Sequence, residues 1–186
     1  MPVLPFETEV FPSDLLETAC PDCAAGRLWF VLHTRPRQEK AVARQLLARQ
    51  VPYFLPLYRK RTVYQGRGVT SHLPLFPGYV FLLAGAEERL LALKTNRVLR
   101  TLSVPEQEQL WYDLRQIRRL LLSGAPVSPQ DRLGPGDVVE IQSGPLTGLR
   151  GTIERTASGR RFVVRVDFIQ RGAAVLLDDS VLVKVG

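Results

Sequence analysis

The sequence predicts an α+β protein: an N-terminal antiparallel sheet flanked by helices, followed by a small β-barrel that contains no helix. Three observations carry this. Up to residue 122, β-rich apolar runs alternate with segments of helical period; after a Pro/Gly-rich stretch the period switches to two. The chain has 186 residues, 45% of them hydrophobic, enough for one domain or two small ones with cores of their own.

The elements follow in order. Residues 1–26 carry Pro2, Pro5, Pro12 and Pro21, scattered acids and no sustained period, which predicts a flexible extension outside the core fold. LWFVLHT (28–34) is a strand, and Pro36 then stands where a first helical residue is tolerated. Residues 36–50 form a helix with Val42, Ala43, Leu46 and Leu47 on its apolar face; Val51-Pro52 ends it, because a residue before proline is pushed toward extended conformations. Strands follow at 53–65, 69–76 and 78–84, the first two joined by a turn at Gly66-Arg67-Gly68, with Pro56 and Pro74 confining them to edges or bulges. A short helix at 86–94 and a strand at 97–102 precede the clearest helix, 105–122. There Leu110, Leu114, Ile117 and Leu121 share a face, and the acids precede Arg115, Arg118 and Arg119, as the helix dipole favours.

SGAPVSPQDRLGPG (123–136) reads as an interdomain connection. The expected organisation is an extension over 1–26, a first domain over 27–122, a linker over 123–133 and a barrel over 134–186. In the barrel, Phe162, Val164, Val166 and Phe168 share one face, with Val163, Arg165 and Asp167 on the other. Its strands are expected near 137–142, 150–156, 161–168, 173–177 and 180–185.

The charge is uneven. The net formal charge is +7, from 25 Lys or Arg against 18 Asp or Glu, and nearly all of the positive excess lies in residues 27–122. Between 27 and 83 there are ten bases against Glu39 alone, interleaved with aromatics, a composition that can neutralise phosphates and stack bases. No phosphate-binding glycine loop, zinc-protease or nucleophile-elbow motif is present, and neither His33 nor His72 has a carboxylate at a recognisable catalytic spacing, so no enzyme and no cofactor are expected. Cys20 and Cys23 form a lone C-x-x-C without the further ligands a structural zinc needs; a metal there is only a weak reading beside two free thiols. With no signal-peptide pattern and no apolar run of membrane-spanning length, a cytoplasmic location away from membranes is expected.

WFVLHTRPRQEKAVARQL (29–46), PLFPGYVF (74–81) and GDVVEIQSGPLTGLRGTIERT (136–156), in that order, resemble the bacterial NusG family, including its RfaH-like paralogues. The last block resembles the KOW motif, with Gly144, Pro145, Gly148 and Gly151 at its turns. The resemblance implies an NGN domain followed by an SH3-like KOW barrel, in a monomeric elongation or antitermination factor that suppresses pausing. It implies that His33, Phe76, Tyr79 and Phe81 meet the clamp helices of the RNA polymerase largest subunit. Arg35, Arg37, Lys40 and Arg97 would face upstream or non-template DNA of the transcription bubble. The barrel would bind ribosomal protein S10 or a termination factor. HTRPRQEK leans toward a specialised RfaH-like member, although Glu88-Arg89-Leu90 does not reproduce the His-Thr-Thr element of that group. The alternative is a ribosome-associated KOW-domain RNA-binding protein.

Overall fold

The computed structural model describes residues 7–18, 26–178, 181 and 183–185. Through residue 122 its elements are β1 (Val10–Phe11), α1 (Leu15–Thr18), β2 (Leu28–Thr34), α2 (Glu39–Ala48), β3 (Tyr53–Phe54), β4 (Leu57–Tyr64), β5 (Arg67–Pro74), β6 (Tyr79–Ala84), α3 (Ala86–Leu93), β7 (Val98–Ser103) and α4 (Gln107–Leu122). Then come β8 (Ser128–Gln130), β9 (Asp137–Ile141), β10 (Arg150–Thr156), β11 (Gly159–Val166), β12 (Arg171–Leu177) and β13 (Val183–Val185). The fold class is the α+β arrangement that the sequence predicts. Contacts divide the chain into two compact units, Met1–Pro56 with Phe76–Trp111, and Leu57–Leu75 with Tyr112–Gly186. This division does not fall at the Pro/Gly-rich segment: the β4–β5 hairpin and most of α4 group with the C-terminal strands.

The first unit is built on an antiparallel sheet of order β1-β3-β6-β2-β7. Its central strands place Val31 opposite Phe81 and Leu32 opposite Val80, and all four side chains are buried. Where β7 runs out beyond the Phe30–Ser103 pair, the Gln107 side chain continues the ladder. Its Oε1 accepts the Trp29 N–H at 2.7 Å and its Nε2 donates to the Trp29 carbonyl at 2.9 Å. The long predicted strand at 53–65 is interrupted instead: β3 stays in this sheet and β4 pairs only with β5, because Pro56 between them has no N–H to offer a ladder.

The N-terminal segment is the largest departure. Composition predicts a flexible extension, yet residues 7–18 are integral to the first unit. Val10 pairs with Phe54 and Phe11 with Tyr53, so β1 completes the sheet edge. Leu15 and Leu16 are buried, and the Trp111 indole donates to the Leu16 carbonyl at 3.1 Å. Glu7 forms a bidentate pair with Arg44, the shorter contact 2.7 Å. The apolar residues that decide this lie at irregular spacing among acids and prolines, so no period reveals them. Cys20 and Cys23 lie outside the described residues.

The Tyr53 hydroxyl donates to the Thr8 carbonyl at 2.8 Å. Burial first, then the nearby Glu7 carboxylate, push its pKa up to about 12.

In the second unit, β8 to β13 form an antiparallel sheet of order β13-β9-β10-β11-β12-β8, the barrel-type module. Three details differ from expectation. Ser128–Gln130, placed by composition in the linker, pairs with β12 as an edge strand. Phe168 leaves the strand because Asp167–Ile169 forms a single 3-10 turn. Val163 is fully buried although the strand period assigns it to the polar side. Gly151 is required by close approach: a Cβ there would sit 2.4 Å from the Val163 carbonyl oxygen and 2.7 Å from the Phe162 ring. Within this unit, α4 buries Leu114, Ile117 and Leu120, whereas the expected Leu121 is half-exposed. Asp113 Oδ2 accepts the Asp167 N–H at 3.0 Å, and Arg119 donates to the Thr147 carbonyl at 3.1 Å.

Two outcomes are expected. Gly151→Ala destabilises the barrel by about 2–3 kcal/mol, read as a lower denaturation midpoint in urea at unchanged slope. In ultraviolet titration, Tyr53 ionises near pH 12. Since the folded pKa is raised, its stabilising contribution is complete below about pH 10 and is lost as the pH rises through 12; Tyr53→Phe removes that alkaline phase.

Candidate functional site

The PLFPGYVF block enters β6 through a tight turn. The Tyr79 N–H donates to the Phe76 carbonyl at 3.1 Å, Pro77 occupies the second position and Gly78 the third at φ +86°. This is a type II turn, whose third position requires the left-handed backbone that glycine adopts without strain. The turn is fastened on both sides. Glu39, buried in the first turn of α2, accepts the Gly78 N–H on Oε1 at 2.7 Å, and the Gly78 carbonyl accepts the Thr34 N–H at 2.8 Å.

The strand register then sets the site. His33 of β2 lies directly opposite Tyr79 of β6, and their rings stack with centroids 5.5 Å apart at 24°. The His33 imidazole also rests against Gly78, where a Cβ would meet it at 3.7 Å. Both rings are half-exposed.

Phe76 and Phe81 are placed differently from the expectation. They are 1% and 0% exposed, packed edge-to-face with centroids 6.1 Å apart, and Phe54 adds a third ring 6.4 Å from Phe81. They belong to the core of the first unit and offer no surface to a partner. Tyr79 and Phe81 share a face of β6, so position along the strand separates them: Tyr79 stands at its half-exposed start and Phe81 in its covered middle, which composition does not show.

A second type II turn stands at the end of β2. The Gln38 N–H donates to the Arg35 carbonyl at 3.1 Å, with Pro36 second and Arg37 third at φ +62°. A non-glycine residue in this region carries a strain of about 1 kcal/mol. The chain thus holds an exposed arginine where glycine or asparagine is easier. The β7 side is laced to this turn: the Arg35 N–H donates to the Arg97 carbonyl at 2.8 Å, and the Arg97 guanidinium donates to the Gln38 side chain. Arg35, Arg37 and Arg97 are therefore brought together, with Lys40 half-exposed at the start of α2. Arg100, exposed and directly opposite His33 on β7, joins the same surface. Sequence reasoning missed it because only the β2–β7 register connects position 100 to position 33. In the sequence Glu39 stands as a lone acid in a basic region; its role depends on a contact 39 residues away.

Built upward from these residues, the first unit presents a stacked, half-exposed aromatic pair beside a cluster of arginines. The family model described as transcription termination factor nusG matches residues 27–121, just over half of the chain, and the chain belongs to the NusG family. Proteins of this family are transcription factors that bind RNA polymerase rather than enzymes. A solved structure reported as "Domain interaction in Thermotoga maritima NusG" is similar at 20% identity, covering 82% of this chain and 94% of that chain, with a TM-score of 0.43. No curated protein matches the chain. Among the described residues no helix is long and apolar enough to cross a membrane.

The two turns respond differently to substitution. Glu39→Gln and Gly78→Ala each lower stability, the first by about 1–2 kcal/mol for the lost charge-assisted bond and the second by about 1 kcal/mol for left-handed strain. Arg37→Asn leaves stability unchanged or raises it by up to about 1 kcal/mol, because asparagine tolerates that backbone. Thermal unfolding of the three variants checks all three signs.

Proposed function

We propose that the protein is an RfaH-like elongation and antitermination factor that docks on RNA polymerase through His33 and Tyr79. The partner surface is the clamp helices of the polymerase largest subunit. Arg35, Arg37, Lys40 and Arg97 then face upstream or non-template DNA of the bubble, so the protein bridges the polymerase cleft and suppresses pausing. The observation that supports this best is the His33–Tyr79 stack, two half-exposed rings held rigid by a fastened turn and flanked by arginines. Amphipathic rings of this kind supply contact area at low entropic cost, and adjacent guanidinium groups supply salt-sensitive phosphate contacts. Membership of a polymerase-binding family agrees with it. In the same reading the KOW barrel takes ribosomal protein S10 or a termination factor as its partner, and the protein acts in the cytoplasm as a monomer.

The test is pull-down of core RNA polymerase with the tagged full chain. Tyr79→Asp is expected to abolish capture while thermal unfolding stays near wild type, whereas Phe76→Ala lowers stability by about 3–5 kcal/mol through a core cavity. Arg37→Asn is expected to retain polymerase capture and to weaken DNA crosslinking in the assembled complex. Full capture by Tyr79→Asp would move the docking surface elsewhere.

A further inference from the structure

Among the described residues, the β4–β5 ribbon, Leu57–Tyr64 with Arg67–Pro74, is a two-stranded sheet outside both larger sheets and pairs only with itself. All residues from Arg59 to Thr70 are exposed. Two strands with neither face covered contribute little to a core, so this segment has another use. It is nonetheless well formed. Gln65 at φ +49° and Gly66 at φ +75° make a two-residue turn of type I′, whose twist matches that of the strands. The Gly66-Arg67-Gly68 turn expected from sequence is thus displaced by one residue, and Arg67 and Gly68 belong to the strand.

Residues 57–74 contain Arg59, Lys60, Arg61 and Arg67 and no acid. The register pairs Arg59 with His72, Arg61 with Thr70, Lys60 with Ser71 and Tyr64 with Arg67. Since side chains alternate along a strand, Arg59 and Arg61 project from one face, Lys60 and Arg67 from the other. A ribbon lying on a flat anionic surface needs charge on one face only. Charge on both faces suits a partner with phosphates on both sides. Beside the Gln65-Gly66 turn, Val63 and Tyr64 are 77% and 67% exposed.

We infer that this ribbon enters the major groove of duplex DNA. Eight residues per strand extend about 26 Å, and two strands about 4.8 Å apart fit a groove about 12 Å wide that is walled by phosphates. The bases reach the two walls, and Val63 and Tyr64 beside the turn offer apolar contact to the groove floor, where thymine methyls lie. The deep, narrow major groove of A-form RNA does not admit such a ribbon. The inference deepens the DNA-binding part of the proposed function and rests on it.

The experiment measures binding of the full chain to a short B-form duplex, without polymerase, across a range of salt concentrations. The triple variant Arg59→Gln, Lys60→Gln, Arg61→Gln is expected to lose roughly tenfold or more in affinity, with a salt dependence shallower by about 0.9 for each phosphate contact removed. Wild-type thermal unfolding and retained polymerase capture show that the variant is folded. Methylating guanine N7 of the duplex, which blocks the major groove, is expected to weaken wild-type binding. Unchanged affinity of the triple variant, no effect of methylation, or equal affinity for an RNA duplex lost in the same variant each overturns the inference. Loss confined to Arg35→Gln with Arg37→Gln overturns the ribbon while leaving the proposed function standing. Failure of the polymerase pull-down with intact ribbon-dependent DNA binding does the reverse.

Discussion

A carboxylate buried inside a protein persists only where donors answer it, and Glu39 has its donor in the backbone N–H of Gly78. That one bond ties the start of α2 to the turn that enters β6. The Thr34 N–H, bonding the Gly78 carbonyl, closes the same turn onto the end of β2. With the turn fixed, Tyr79 has one place to stand, opposite His33, and the stacking of the two rings follows. Further along the same strand the buried rings of Phe76, Phe81 and Phe54 pack against one another as core. A loose turn here leaves the same residues in the sequence but no shaped surface.

The same economy of means recurs at the other end of β2. A proline-led turn positions Arg35 and Arg37, and two hydrogen bonds from the 35–38 and 95–97 segments draw Arg97 alongside. These hydrogen bonds thus assemble a concentration of like charge that the side chains themselves oppose. The left-handed backbone at Arg37 is the local cost, of the kind commonly found where geometry serves binding.

Much of the fold was legible from periodicity. The helices at 39–48 and 107–122 and the strands at 28–34, 79–84 and 159–166 were expected because each carries a long, regular pattern. What was missed depends on partners far away in the chain. β1 exists because the edge of β3 accepts it, β8 because β12 does, and neither segment carries a pattern of its own. Within the candidate site, His33 and Tyr79 were legible as residues at strand ends. The exclusion of Phe76 and Phe81 required the packing of the core, and the inclusion of Arg100 required the register. The basic character of 57–67 was plain in the sequence, but the two-faced distribution became visible only once the strands were paired.

The N-terminal segment has a practical consequence. Sequence similarity to the family begins at residue 27, and a fragment cut there loses β1, α1 and the Glu7–Arg44 pair. It would bare the backbone N–H and C=O groups of β3 as an open sheet edge, beside the apolar surface that Leu15 and Leu16 had covered. Such edges recruit other strands, so the fragment would be prone to self-association through β3. A boundary drawn from homology alone would convert a capped sheet into an adhesive one.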